Sequence, residues 1–158
     1  MEKFLEYLEE SGKRIATADH LLYVTFPLVK EKKLLLKILE EINSGLLNCL
    51  NSILQYEYLF KKIKLYSDPK QNLEVFKQKC APRFLITPAE VRSIIELFEI
   101  MKVHKKSPFE FVKDDKIVIL SENMNQKIIN LEKTKEFLAS AKSVLEKTKK
   151  VLKMNFSR

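Results

Sequence analysis

Apolar positions recur along this chain in alternating steps of four and three residues, the spacing of a helix that lays one seam against a partner helix. Phe4, Leu8, Ser11, Ile15, Ala18 and Leu22 trace the first seam, over 1–26. Gly12 beside it predicts a bend near Ser11–Gly12, and Pro27 predicts the helix end, because a residue before proline disfavours the helical region. The second seam runs Leu35, Leu39, Ile42, Leu46, Cys49, Ile53, Tyr56, Phe60, Ile63 and predicts a helix over 31–65. At the helical rise per residue it would be roughly 50 Å long. A flanking stripe of Leu36, Leu47, Leu50 and Leu54 widens its apolar arc, which predicts a central helix with more than one neighbour. The third seam, Leu131, Thr134, Leu138, Ala141, Leu145, Thr148 and Leu152, predicts a last long helix over 131–154.

The residues between the second and third seams read differently. Ser67-Asp68-Pro69 supplies a cap followed by a proline suited to the first helical position. A short helix through Leu73, Phe76 and Cys80 follows and stops at Pro82. Thr87-Pro88-Ala89-Glu90 matches a capping box, opening a helix that carries Val91, Ile94, Ile95, Phe98 and Met101 and fades near Lys105. Thus 69–106 holds two shorter helices. Phe109–Val112 and Ile117–Leu120 flank Lys113-Asp114-Asp115-Lys116 as a β-hairpin around an Asp-containing turn, within an elaboration over 109–129. Gln126–Ile129 reads either as a third short strand or as the approach to the last helix. The expectation is a mainly all-α fold: a single domain over 1–158, a long-helix bundle of about five helices, with a small hairpin inserted before the last.

Composition narrows the chemistry. Only Gly12 and Gly45 are glycines, which excludes a P-loop, a GxGxxG turn and a GxSxG elbow. His20, His104, Cys49 and Cys80 are too few and too scattered for a zinc site. A ferritin-like di-iron site needs Glu three residues before His, where Thr17 and Met101 stand. No metal or cofactor is expected. The thiols lack CxxC spacing, the stretch Met1–Glu10 is acidic rather than signal-like, and apolar runs such as Leu21–Val24 and Ile117–Leu120 are too short to span a bilayer. These features predict a cytoplasmic protein with no membrane segment. Cys80 lies among Lys77, Lys79 and Arg83, which favours thiolate, yet its spacing from Leu73 and Phe76 assigns it to the core.

Net charge is +8 and unevenly distributed. Residues 1–60 carry 7 Lys or Arg against 9 Asp or Glu, whereas 61–158 carry 22 against 12. Lys61, Lys62, Lys64, Lys70, Lys77, Lys79, Arg83, Lys102, Lys105 and Lys106 form the basic clusters, with Tyr66 and Phe76 interleaved and Phe84 just beyond. Positive charge beside aromatic rings suits phosphate backbone and unstacked bases. Lysines at helix C-termini also complement the helix dipole, and a Lys excess over Arg accompanies compositional bias.

Arg14-Ile15-Ala16-Thr17-Ala18-Asp19-His20 places an Arg and a His six residues apart. This spacing resembles the Rx4–6H motif of HEPN-type helical ribonucleases, and the resemblance implies metal-independent RNA cleavage with Arg14 on phosphate and His20 in acid–base chemistry. Read from the residues alone, Arg14 is a solvated cation and His20 a helix-face histidine near Asp19; six helical residues turn them about 240° apart. The stretch 18–25 with Pro27 resembles uncharacterised small helical proteins of archaeal type, which implies no activity. Three functional readings follow: an RNA or polyanion-binding module, a helical protein-interaction or homo-oligomerisation module whose seams a partner completes, and a HEPN-like ribonuclease.

Overall fold

The structure, a computed structural model, describes residues 2–156. It is built from helices α1 (Lys3–His20), α2 (Phe26–Val29), α3 (Leu34–Leu59), α4 (Pro69–Val75), α5 (Pro88–Lys106) and α6 (Leu131–Phe156), with strands β1 (Phe109–Lys113), β2 (Lys116–Leu120) and β3 (Gln126–Ile129) before the last helix. α1 runs without a break through a π-helical turn, Leu21–Thr25, into α2, and α4 continues likewise through a π turn, Phe76–Cys80.

The three long seams are buried over most of their length, Phe60 at the end of the second being the exception. Ser11, Ile15, Ala18 and Leu22 of the first, Leu35 through Tyr56 of the second and Thr134 through Leu152 of the third are buried. α3 is central: α1, α5 and α6 all pack on it, as does the π turn after α4. Its antiparallel contact with α1 is stitched by two buried hydroxyls. Ser11 donates to the Gly45 carbonyl and Ser52 to the Phe4 carbonyl, each at 2.7 Å. A Cβ at Gly45 would come within 2.6 Å of Ile15 Cγ1, so this glycine sets how closely the two helices approach. Gly12 has nothing within 4 Å of such a Cβ.

Two sequence expectations about helix ends are corrected. Pro27 does not stop the first helix. Proline lacks an N–H and crowds the carbonyl one turn back; the π turn relieves this, with Phe26 N–H reaching the Leu21 carbonyl, and the rod ends only at Lys30, φ 56°. The second π turn stands in the same relation to Pro82, with Ala81 N–H donating to Phe76. The second long helix ends at Leu59 rather than near 65. Lys61 adopts φ 60°, its N–H donates to Tyr58 and that of Lys62 donates to Glu57, which is a Schellman stop without glycine.

Other local signals carry through. Asp68 caps α4 by accepting from Lys70 N–H, and Thr87 and Glu90 form the reciprocal capping box of α5. On α5 the buried positions are Ile94, Leu97, Ile100 and Met101, with Val91, Ile95 and Phe98 half-buried, so the core face is rotated from the expected stripe. The segment 126–129 is a strand: the sheet has order β1-β2-β3, antiparallel throughout, and a two-residue loop with Asp114 at φ 56° joins the first pair. Ile117, Ile119 and Ile129 enter the core that all the long helices share. Asn130 then caps α6 through Lys133 N–H.

The two glycines give opposite expectations on equal helical propensity grounds. Gly12→Ala should stabilise the protein by about 0.5–1 kcal/mol. Gly45→Ala should destabilise it by about 1–2 kcal/mol, because overpacking against Ile15 outweighs the same propensity gain. Urea denaturation of the two variants checks both signs.

Candidate nucleic-acid interface

The ten basic residues singled out from the sequence separate into two kinds. Arg83 and Lys77 are paired: Arg83 Nε lies 2.6 Å from Glu57 Oε1 and Lys77 Nζ lies 3.4 Å from Glu74. Among the described residues, Lys61, Lys62, Lys64, Lys70, Lys79, Lys102, Lys105 and Lys106 form no ion pair. All eight are exposed. By contrast, Lys133, Lys142 and Lys147 of α6 each hold an acid on another helix: Glu96, Asp19 and Glu90.

Three adjoining grooves join part of this set. Lys70 and Lys102 line one of about 390 Å³ between α3, α4 and α5, floored by Leu47, Leu50, Leu54, Leu73 and Phe98. Lys70 also lines a groove of about 370 Å³ with Tyr66 and Gln71, and Lys102 lines one of about 240 Å³ with Lys106 and the 121–123 loop. Glu74, Glu99 and Glu122 contribute carboxylates to these walls. Lys77 lies elsewhere, in a groove with Arg92, an exposed arginine without an ion pair that the sequence reading did not include.

The aromatic rings are redistributed. Phe76 and Phe84, expected among the lysines, are core residues at 0% and 1% exposure. Tyr66 is exposed as the reading requires. Tyr58 and Phe60 join it: both are about half exposed, although Phe60 continued the core seam on paper. The early stop at Lys61 is what swings Phe60 out of the bundle, where it packs on Tyr56 at a centroid distance of 4.8 Å.

Arg14 and His20 are not brought together by any contact. Arg14 donates to Glu10 at 2.9 Å and pairs with the buried carboxylate of Glu41 at 3.3 Å, and these acids raise its pKa. His20 is exposed on the last turn of α1, while its neighbour Asp19 pairs with Lys142. Both cysteines are buried free thiols. Desolvation pushes Cys49 up to about 11, and desolvation together with Glu57 pushes Cys80 up to about 12, so the core assignment of Cys80 holds. Among the described residues no group of His, Cys, Asp or Glu has a geometry for a metal ion, and no helix is long and apolar enough to cross a membrane.

One polar cluster escaped the sequence reading because Glu40 is remote in the chain and Glu110 lies across the α5–β1 connection. His104 near the end of α5 binds Glu110 on β1 through Nδ1 and Glu40 on α3 through Nε2, at 3.2 Å for the latter. Burial works against its charged form, but the hydrogen bonds to Glu110 and Glu40 outweigh burial and raise its pKa. At the other end of α5, burial opposes ionisation of Glu90; bonds from Lys147, Ser143 and the Thr87 amide outweigh it and hold this carboxyl at about 2.

Two expectations follow. Arg83→Ala should lower stability by about 2–3 kcal/mol by stranding the buried Glu57 carboxylate, somewhat below the fully buried case because Arg83 is partly exposed. Adding Glu57→Gln should recover part of that loss in the same denaturation assay. The raised pKa of His104 means its stabilising contribution is complete below the ordinary imidazole value of about 6.5 and is lost as pH rises through the folded value. Melting temperature should therefore fall over that interval in the native chain, with a flatter profile in His104→Gln.

Comparison with protein-family models, curated proteins and solved structures yields no match, so the site is read from its own geometry.

Proposed function

We propose that this protein is a binding module for RNA or a similar polyanion, acting through the basic surface of residues 61–106. The observation that carries the reading is the set of eight exposed lysines without ion pairs among the described residues, of which Lys70, Lys102 and Lys106 line adjoining grooves. Lysines with no acid partner are free to neutralise phosphates and release the counterions condensed on a nucleic-acid backbone. Of the nearby carboxylates, Asp68 is turned to the α4 cap, Glu74 is paired with Lys77 and Glu57 is buried against Arg83, while Glu99 and Glu122 share groove walls with Lys102 and Lys106. Arg14 plays no part in this reading, since Glu10 and Glu41 already occupy its guanidinium.

The test is fluorescence anisotropy of a labelled RNA of roughly 12 nucleotides across a salt series. Affinity should fall steeply with salt. The triple variant Lys61→Glu, Lys62→Glu, Lys64→Glu should bind at least about tenfold more weakly, with a log–log salt slope shallower by about 2. Its melting temperature should stay near the native value because all three side chains are exposed and unpaired. Unchanged binding by this variant would refute the assignment of the surface. Gel analysis of the same samples reports any cleavage, the outcome expected of an Arg14–His20 ribonuclease.

A further inference from the structure

The segment joining α3 to α4 combines three features that serve a narrower class of ligand than polyanions in general. Its rings are exposed: Tyr58 at 53%, Phe60 at 51% and Tyr66 at 45%. Its cations, Lys61, Lys62, Lys64 and then Lys70, lie between and just after those rings and have no ion pair among the described residues. Its backbone is held rather than loose. The Schellman bonds from Lys61 and Lys62 close the helix end, and Ile63 is buried in the core. Asn72 clamps Tyr66 from both sides, accepting from its N–H and donating to its carbonyl, each at 2.8 Å.

We infer that Tyr66 is a stacking platform for an unpaired base of a single-stranded nucleic acid, with Lys70 in the same groove and Lys61, Lys62 and Lys64 of the preceding segment on the phosphates. This deepens the polyanion reading and rests on it. The chemistry is specific in one direction. Phosphate contacts alone favour a duplex at least as well as a single strand, because a duplex carries the denser charge. Base faces are available to a protein ring only when they are unstacked. Exposed tyrosine and phenylalanine rings on a fixed backbone lose little conformational freedom when a base settles on them, since these side chains have only two rotatable bonds. The Tyr66 groove of about 370 Å³ also presents Gln71, whose amide can meet a base edge, and Lys70, whose ammonium can meet a phosphate, while the Glu74 carboxylate in its wall is paired with Lys77.

The experiment compares single-stranded RNA, single-stranded DNA of matching sequence, and the corresponding duplexes, all at one salt concentration, with the full chain. The single strands should bind about tenfold or more tightly than the duplexes. Tyr66→Ala should remove most of that preference while leaving duplex affinity unchanged, and Tyr66→Phe should retain it because the ring is what stacks. The Asn72 clamp holds only the backbone of residue 66, so both substitutions keep it. RNA and DNA single strands binding alike supports stacking as the source; a preference for RNA alone, untouched by Tyr66→Ala, overturns the platform. Equal affinity for single strands and duplexes, insensitive to Tyr66→Ala, overturns the platform and leaves the polyanion reading standing. No binding by any of the four at low salt overturns both.

Discussion

Where α1 crosses α3, the Gly45 backbone lies against Ile15, and the Ser11 hydroxyl bonds the Gly45 carbonyl in the same place. A second hydroxyl, Ser52, repeats the bond toward Phe4 about two turns away, which fixes the antiparallel register of the pair. Small residues at a crossing let backbones approach, and a buried hydroxyl there must find a partner, so one arrangement meets both requirements. With that register set, α3 still presents Leu46, Cys49, Ile53 and the Leu50–Leu54 stripe to other elements. α6 reaches it through Thr148 on Cys49, and α5 and the π turn after α4 occupy the remaining arc.

The α3 helix also carries two nearly buried carboxylates, Glu41 and Glu57, and each is met by an arginine, Arg14 and Arg83. A guanidinium keeps its charge and tolerates partial desolvation better than an ammonium, which suits it to this task. Half of the chain's four arginines are thereby spent on the fold. The lysines divide differently. On α6, Lys133, Lys142 and Lys147 tie helices together, whereas between 61 and 106 most remain unpaired in solvent. Unpaired positive charge is thus densest between 61 and 106, adjoining the end of the central helix, with further unpaired cations such as Lys30, Lys113, Lys127 and Lys150 spread over the rest of the surface.

The turns explain much of what could not be seen in advance. Lys30, Lys61, Leu85, Asp114 and Met124 all adopt left-handed backbone angles, while neither glycine does. Such positions ordinarily announce themselves as glycine. Here the buried Ile63 and the half-buried Leu65 draw the chain around after Lys61, so packing overrides the local preference that would have continued the helix. The same substitution of context for signal operates at Pro27, where a π turn lets the helix continue through the ring.

Periodicity of three and four residues depends only on the helix itself, so the sequence determined the three long helices, their buried seams, the caps at Asp68 and Thr87, and the presence of the hairpin. It also determined which lysines are clustered, since clustering of this kind is local. Whether a given charge is spent or spare depends on an acid arriving from elsewhere, as Glu57 does for Arg83 and as Glu40 and Glu110 do for His104. Whether a ring is core or surface depends on what packs over it, which buried Phe76 and Phe84 and left Tyr58 and Phe60 exposed. These were decisions of the tertiary structure, because burial and pairing are relations between segments remote in the chain, and no local pattern encodes them.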